Sequence, residues 1–285
     1  MLKLGPGHGF PDDGDLNVDE SEPDRWHAVG LVTTRTYEST ASALERIVER
    51  CSADGDRAGF FAAMYLAVTR TVRQRSDDGA FEDPARMERF ISSFAARYLD
   101  AHDAWRGGQP TTEAWKVAFD ATTAWRPIIL QHLLLGMNAH INLDLGVCAS
   151  EVAEPGMIDA VRADFDAVND VLAELVDGCQ NALGEVSPWL GLVDRIGGAN
   201  DEAVIRFSLL AARRQAWKVA VRLSSLSGAE RDKAIAEVDA AAASVGRRVR
   251  HPGVAASALL LLVRLRERAK PADVMRRLAA VVPAP

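Results

Sequence analysis

A histidine and an aspartate, His140 and Asp144, stand four residues apart in a stretch of the chain that carries almost no charge. On an α-helix this spacing brings both side chains onto one face, where the carboxylate can orient the imidazole or both groups can bind one metal ion. His132 lies on the same stripe, and Gly136 between the two histidines leaves room for a ligand or another backbone. We therefore predict His140 and Asp144 as catalytic residues, with a purely structural hydrogen bond between them as the alternative.

A later helix, predicted over residues 157–183, carries polar groups that could complete this site. Asn169 interrupts its otherwise apolar face, and Asp166 and Asp170 lie at the edge of that face. Two carboxylates with one or two histidines suit Zn, Fe or Mn as a bound metal. The predicted metal set is His132, His140, Asp144 and Asp166. We also predict that His140 faces a polar pocket shared with this helix; the alternative for the aspartates is a solvated acidic flank.

Amide side chains form a second polar stripe on the opposite side of the His140 helix. Gln131, Asn138 and Asn142 project about 160–200° away from His140 at the angular step of an α-helix. Amides in such a position commonly bridge the backbone of neighbouring helices. The alternative is ligand binding, for which Asn138, Asn142 and Asn169 are the candidates.

The helix that carries both stripes is predicted over residues 127–147, and Asp144 is its one charged residue. A surface helix needs a polar, charged face towards water. Because this segment has none, we predict that it is buried near the middle of the fold. Its polar groups must then find partners inside the protein, since each unpaired buried group costs about 1–3 kcal/mol.

Helical spacing of apolar residues continues along the rest of the chain, and no alternating segment of useful length indicates a strand. The sequence predicts an all-α fold of about nine or ten helices around the buried central helix. Residues 1–25 are rich in Gly, Pro and acids and are predicted as an arm without regular structure, followed by one domain over 26–285. The apolar run 254–265 is too short to span a bilayer and is predicted as a buried core helix.

The composition limits the classes of function. Lys and Arg number 33 and Asp and Glu 40, a net charge of −7, which argues against general nucleic-acid binding. The three cysteines stand far apart and the N-terminus has no signal-peptide pattern, so we expect a cytoplasmic protein without disulfides or a membrane anchor. A homo-oligomer is left open. Arg213 and Arg214, beside Trp217, are candidates for a cation–π contact or an anion clamp, with packing and surface charge as the alternative.

The central string resembles the signature of a known family of bacterial and fungal helical proteins, which is described only as a domain of unknown function. The string is Gly136-Met137-Asn138-Ala139-His140-Ile141-Asn142-x-Asp144-Leu145. Further matches in the expected order are Phe61-x3-Tyr65-x2-Val68-Thr69, Phe81-x-Asp83, Phe94-x3-Tyr98, Asp164-Phe165-x2-Val168-Asn169 and Arg213-x2-Ala216-Trp217-x2-Ala220. The resemblance covers about residues 55–225 and implies a single all-α domain; it brings no reaction with it.

The residues therefore have to indicate the function. The leading hypothesis is an enzyme with hydrolase- or lyase-type chemistry on a small, largely apolar molecule, with or without a metal, at His140 and Asp144. The alternative is a non-catalytic helical binding or scaffolding protein. A third interpretation is a Mg-dependent, isoprenoid cyclase-like enzyme, because two acid-rich strings resemble the magnesium motifs of class I terpene cyclases. These strings are Asp77-Asp78-x3-Glu82 and Asn169-Asp170-Val171-x-Ala173-x3-Asp177.

Overall fold

Helices make up the architecture of residues 36–187 and 201–281, which are the residues that the computed structural model describes. In these two ranges there are eleven α-helices and no strand, so the all-α prediction is confirmed. The helices are α1 Tyr37–Asp54, α2 Gly59–Asp77, α3 Pro84–Arg106, α4 Glu113–Thr122, α5 Ile129–Ala139, α6 Leu145–Val152, α7 Arg162–Val186, α8 Asp201–Ser224, α9 Gly228–Arg250, α10 Val254–Arg266 and α11 Pro271–Ala279. The predicted arm and its boundary with the domain lie outside the described residues and stay predictions.

Helix starts follow local chemistry at some positions and distant partners at others. Asp83 caps α3 by accepting a hydrogen bond from the Arg86 backbone N–H at 2.9 Å, and Pro84 occupies the first helical position. Thr112 precedes α4 but makes no such side-chain bond. Instead, Asp239 of α9 accepts from the backbone N–H groups of Glu113 and Ala114, each at 2.8 Å. The start of α4 is therefore tied to α9, which lies far along the chain.

The central segment is buried, as predicted, but it is not one regular helix. Between Pro127 and Ser150 every residue is buried or half-buried. A π turn, His140–Asp144, separates α5 from α6, and the Leu145 N–H donates to the His140 carbonyl five residues back. A π turn is wider than an α turn, so a constant step of about 100° per residue misplaces the positions beyond His140. The predicted His–Asp pair falls within this turn.

Two glycines allow close packing around the central segment. A Cβ on Gly136 would stand 2.5 Å from the Phe61 ring of α2, so this glycine makes room for an aromatic side chain and not for the ligand or backbone that the sequence suggested. A Cβ on Gly146 would stand 2.8 Å from the Ala216 carbonyl oxygen, so the close backbone approach occurs there, against α8. Together the central elements lie among α2, α3, α4, α8 and α9.

Helix α10 is exposed, and the prediction that it forms part of the core is wrong. Leu262 is 57 % exposed, Leu265 is 56 % exposed and Val254 is 91 % exposed, whereas Val263 is fully buried. An apolar sequence favours burial only where another element covers it, and α10 meets the rest of the described protein along a narrow line at Val263. Among the described residues no helix is both long and apolar enough to cross a membrane.

Candidate functional site

An apolar cavity of about 150 Å³ opens beside the π turn, at the seam between two hydrophobic clusters of the core. An engineered cavity of similar volume in another protein, lined by Leu, Ile and Phe, stays dry and binds benzene. The lining comes from α2, α3, α5, the π turn, α7 and α8. These residues are Phe61, Met64, Tyr65, Val68, Thr69, Val72, Ile91, Phe94, Leu130, Leu133, Leu134, Met137, His140, Ile141, Val168, Leu172, Leu175, Cys179, Gln180, Leu183, Leu209 and Arg213.

One stripe of the central segment faces the cavity. Leu130, Leu134, Met137 and Ile141 recur at helical spacing, and these four are half-buried where most of their neighbours are buried. All four line the cavity. The side of the central segment that packs less tightly therefore faces this cavity and gives it an apolar floor.

His140 forms part of the cavity wall and is packed among aromatic rings. Its imidazole stacks nearly parallel on Phe94, with ring centroids 3.5 Å apart, and meets Tyr65 edge-on at 4.4 Å. Within the described part of the chain neither ring nitrogen has a hydrogen-bond partner. Burial lowers the pKa of His140, and Asp144 offsets this only in part. The imidazole is therefore neutral at physiological pH.

Asp144 is buried behind His140 and is held by two other helices. Its carboxylate accepts from the Trp115 indole N–H of α4 at 2.8 Å and from Arg97 Nε of α3 at 3.2 Å. The His140 Nδ1 lies 3.6 Å from Asp144 Oδ2, slightly too long for a hydrogen bond. Burial lowers the pKa of Arg97, but Asp144 and Glu151 outweigh this effect and raise it above its ordinary value.

The four residues of the predicted metal set are not assembled. His132 packs edge-on against Phe60 with ring centroids 5.7 Å apart, and burial lowers its pKa to about 3. Asp166 pairs instead with Arg162, four residues earlier on α7, at 2.5 Å. Within residues 36–187 and 201–281 there is no group of three or more His, Cys, Asp or Glu side chains arranged to hold a metal. The sequence pattern gives the position of each residue around its own helix, but it does not give the rotation of α7 about its axis relative to the central segment.

The amide stripe connects the central segment to α9. Gln131 Nε2 donates to the Val249 carbonyl at 2.7 Å, and Asn138 Nδ2 donates to the Ala242 carbonyl at 2.8 Å. Asn142 donates in turn to Asn138 at 2.9 Å. These three amides are not part of the cavity lining. The hydrogen bonds of Gln131 and Asn138 to backbone carbonyls of α9 agree with a structural role for this stripe, in which amides bridge neighbouring helices.

The cavity is shared with α7, as predicted, but its lining is apolar where a polar pocket was expected. Helix α7 contributes Val168 and Leu172 to the wall, while Asp164 turns away to Arg86 at 2.6 Å. Asn169 accepts a hydrogen bond from Arg213. The acids of the first magnesium-like string, Asp77, Asp78 and Glu82, are exposed around the end of α2. The part of the lining that α7 supplies is apolar because burying the apolar face of this helix against the core is more favourable than burying its acidic edge.

Several aromatic residues of the site were not predicted as functional. Phe61, Tyr65 and Phe94 surround His140, and the Tyr65 hydroxyl is buried without a partner among the described residues. All three belong to the short strings that carry the family resemblance, which was the available signal. As apolar positions on separate helices they read as ordinary core residues.

Comparisons with known proteins give a family but no activity. Neither a curated protein nor a solved structure was found to match the chain. One family model matches residues 37–252, a range that contains the helices of the cavity and the π turn. The chain therefore belongs to the family of unknown function DUF5995.

Proposed function

We propose that this protein is an enzyme that binds a small, largely apolar molecule in the cavity, where His140 acts as an acid–base residue. The single observation that carries this proposal is a buried histidine in the wall of a largely apolar cavity, with a carboxylate behind it. A ligand of roughly benzene size fits about 150 Å³. Its burial there contributes about 25 cal/mol per Å² of apolar surface.

The chemistry follows from the tautomer that Asp144 favours. A carboxylate on the Nδ1 side favours the proton at Nδ1, which leaves the Nε2 lone pair as the basic site. Nε2 can then accept a proton from the ligand or from water, and Asp144 stabilises the resulting positive charge, as in hydrolase- or lyase-type reactions. Both nitrogens are covered by neighbouring side chains, so access to Nε2 requires a turn of the His140 ring or of Tyr65.

A second candidate is a non-catalytic helical binding or scaffolding protein. The close stack of His140 on Phe94 favours it, because a tightly packed ring fixes the position of α3 against the π turn. In that case the pair of His140 and Asp144 connects the π turn to α3 and α4 through Arg97 and Trp115. The cavity would still bind an apolar molecule, but His140 would make no polar contact with it.

We also propose that the protein is located in the cytoplasm. Cys51, Cys148 and Cys179 are free thiols, and the first two are buried. Free thiols fit the reducing environment of the cytoplasm.

Calorimetric titration with toluene and phenol tests both parts of the proposal. The wild type is expected to bind toluene, and Leu172→Trp, which fills the cavity, to weaken binding about tenfold or more. Val245→Trp, on the exposed side of α9, is the matched control and should leave binding unchanged. Failure of the wild type to bind either probe would refute the proposal.

The role of His140 is read from the difference between the two probes. Phenol can donate a hydrogen bond to Nε2 and toluene cannot, so the wild type should prefer phenol by more than His140→Phe does. If both proteins prefer phenol to the same extent, His140 has no acid–base role. The protein is then a non-catalytic binding or scaffolding protein, the second candidate function.

A further inference from the structure

We infer that the ligand of the cavity is an apolar carboxylic acid and that Arg213 binds its carboxylate. The inference rests on the proposed function, because it names the class of molecule that the same cavity takes. Arg213 lies on α8, is only 3 % exposed and forms part of the cavity wall. It is thus a buried cationic side chain at the surface of an apolar space.

Neutral groups hold the Arg213 guanidinium in place. Its Nε donates to the Asn169 side chain and its Nη2 donates to the Phe165 carbonyl, both on α7. The guanidinium carbon also lies 4.5 Å above the Phe165 ring. These contacts fix the orientation of the planar group, and no described residue accepts a hydrogen bond from Nη1. A fixed guanidinium is suited to receive a carboxylate, since little side-chain freedom remains to be lost on binding.

The positive charge of Arg213 has no carboxylate partner among the described side chains. Asp166 is the carboxylate that acts on it electrostatically, but Asp166 is paired with Arg162. Burial lowers the pKa of Arg213 to about 10, with Asp166 raising it in part, so the group is still charged at neutral pH. Burying a charge without a counter-charge is costly, and a carboxylate at this point would relieve that cost.

Two other inward-facing arginines show how this chain treats such a charge elsewhere. Arg86 pairs with the buried Asp164 at 2.6 Å, and Arg97 pairs with the buried Asp144 at 3.2 Å. The pKa of Arg97 is raised by its partners, opposite to the shift of Arg213. Arg213 is more buried than either and forms part of the cavity wall, so the difference points to a counter-charge supplied by the ligand.

The other lining residues determine which chemical groups the ligand can carry besides its carboxylate. Most residues of the cavity wall are apolar, with Val168, Leu172 and Leu209 among them. A molecule with one carboxylate on a compact hydrocarbon body satisfies both parts of the site, whereas a sugar or a nucleotide would leave many polar groups unpaired. Benzoate and short branched fatty acids have this chemistry.

Calorimetric titrations with benzoate and toluene at pH 7 test the inference. The wild type is expected to bind benzoate about tenfold or more tightly than toluene. Arg213→Met, of similar length but uncharged, should lose this preference while still binding toluene. Arg214→Met, at the exposed neighbouring position, is the matched control and should keep the preference.

A second measurement covers the case in which Arg213→Met does not fold. In the wild type, the NMR signal of the Arg213 Nε–H should shift on addition of benzoate and stay in place on addition of toluene. Equal affinity for the two probes, or an unshifted signal at saturating benzoate, would overturn the inference while leaving the proposed function intact. If neither probe binds, the proposed function itself fails.

Discussion

Asp144 connects three elements through one carboxylate. It accepts hydrogen bonds from the Trp115 indole N–H of α4 and from Arg97 Nε of α3, and it lies beside His140 in the π turn. The sequence indicated its burial from the missing charges around it, and indicated His140 as a neighbour from the spacing of four. It could not indicate Trp115 or Arg97, because those contacts depend on how α3 and α4 are placed. The contacts of Asp144 with residues distant in sequence could therefore not be predicted.

Removal of the Asp144 carboxylate is expected to destabilise the protein. Asp144→Ala leaves the Trp115 N–H and the Arg97 guanidinium without their acceptor, at a cost of about 1–3 kcal/mol. Asp78→Ala, at the exposed end of α2, should change the free energy of unfolding by less than about 0.5 kcal/mol. Urea unfolding of both variants measures the difference; equal midpoints would contradict the placement of Asp144.

His132 should make the protein sensitive to acid. Its pKa is about 3 in the folded protein and about 6.5 when unfolded, so the unfolded state binds the extra proton between these values. The stability contribution of the neutral ring is complete above about pH 6.5 and falls by about 1.4 kcal/mol per pH unit as the pH drops towards 3.

Replacing His132 by Phe removes this titration. Between pH 6.5 and 5, His132→Phe should lose about 2 kcal/mol less stability than the wild type does. His251→Phe, at an exposed position, is the control and should behave like the wild type. Urea unfolding at the two pH values gives the comparison, and parallel losses in all three proteins would show that His132 does not titrate as described.

The π turn is the feature of the central segment that a regular helical period does not predict. The prediction of one helix over 127–147 was right about burial, because burial depends on composition, and wrong about geometry, because the π turn adds a residue to one helical turn. The same lack of tertiary information explains α10, where a correct helix prediction came with a wrong prediction of burial.

Gly136 tests the packing of α5 against α2. Gly136→Ala introduces a Cβ only 2.5 Å from the Phe61 ring and should cost about 1–3 kcal/mol despite the better helix propensity of alanine. Gly184→Ala in α7, where no atom lies within 4 Å, should be neutral or stabilise by up to about 1 kcal/mol. Thermal unfolding distinguishes the two, and a stabilising Gly136→Ala would contradict the close contact.

Two adjacent residues of α10 test its exposure. Leu262→Gln should change stability by less than about 0.5 kcal/mol, because Leu262 already faces solvent. Val263→Gln places an amide in a fully buried position and should cost about 2 kcal/mol or more. Similar losses in the two variants, measured by urea unfolding, would mean that α10 is covered on both sides.

The cavity lies where two hydrophobic clusters of the fold meet without filling the space between them. The sequence indicated some of its walls as apolar faces, such as the face of α7 on which Val168 and Leu172 lie. It could not indicate that these faces leave about 150 Å³ between them, because cavity volume depends on the fit of side chains from several helices. The all-α class followed from local periodicity, whereas the central space did not.

A crystal structure of the wild type under xenon pressure tests directly whether the cavity exists. Xenon binds dry apolar cavities of this size, so a strong xenon peak is expected among Leu134, Met137 and Leu172, close to the His140 ring. In Leu172→Trp the peak should disappear while the helices keep their positions. A wild-type crystal with no xenon in this space, or with the space filled by protein side chains, would contradict the claim that the molecule is built around a small apolar binding cavity.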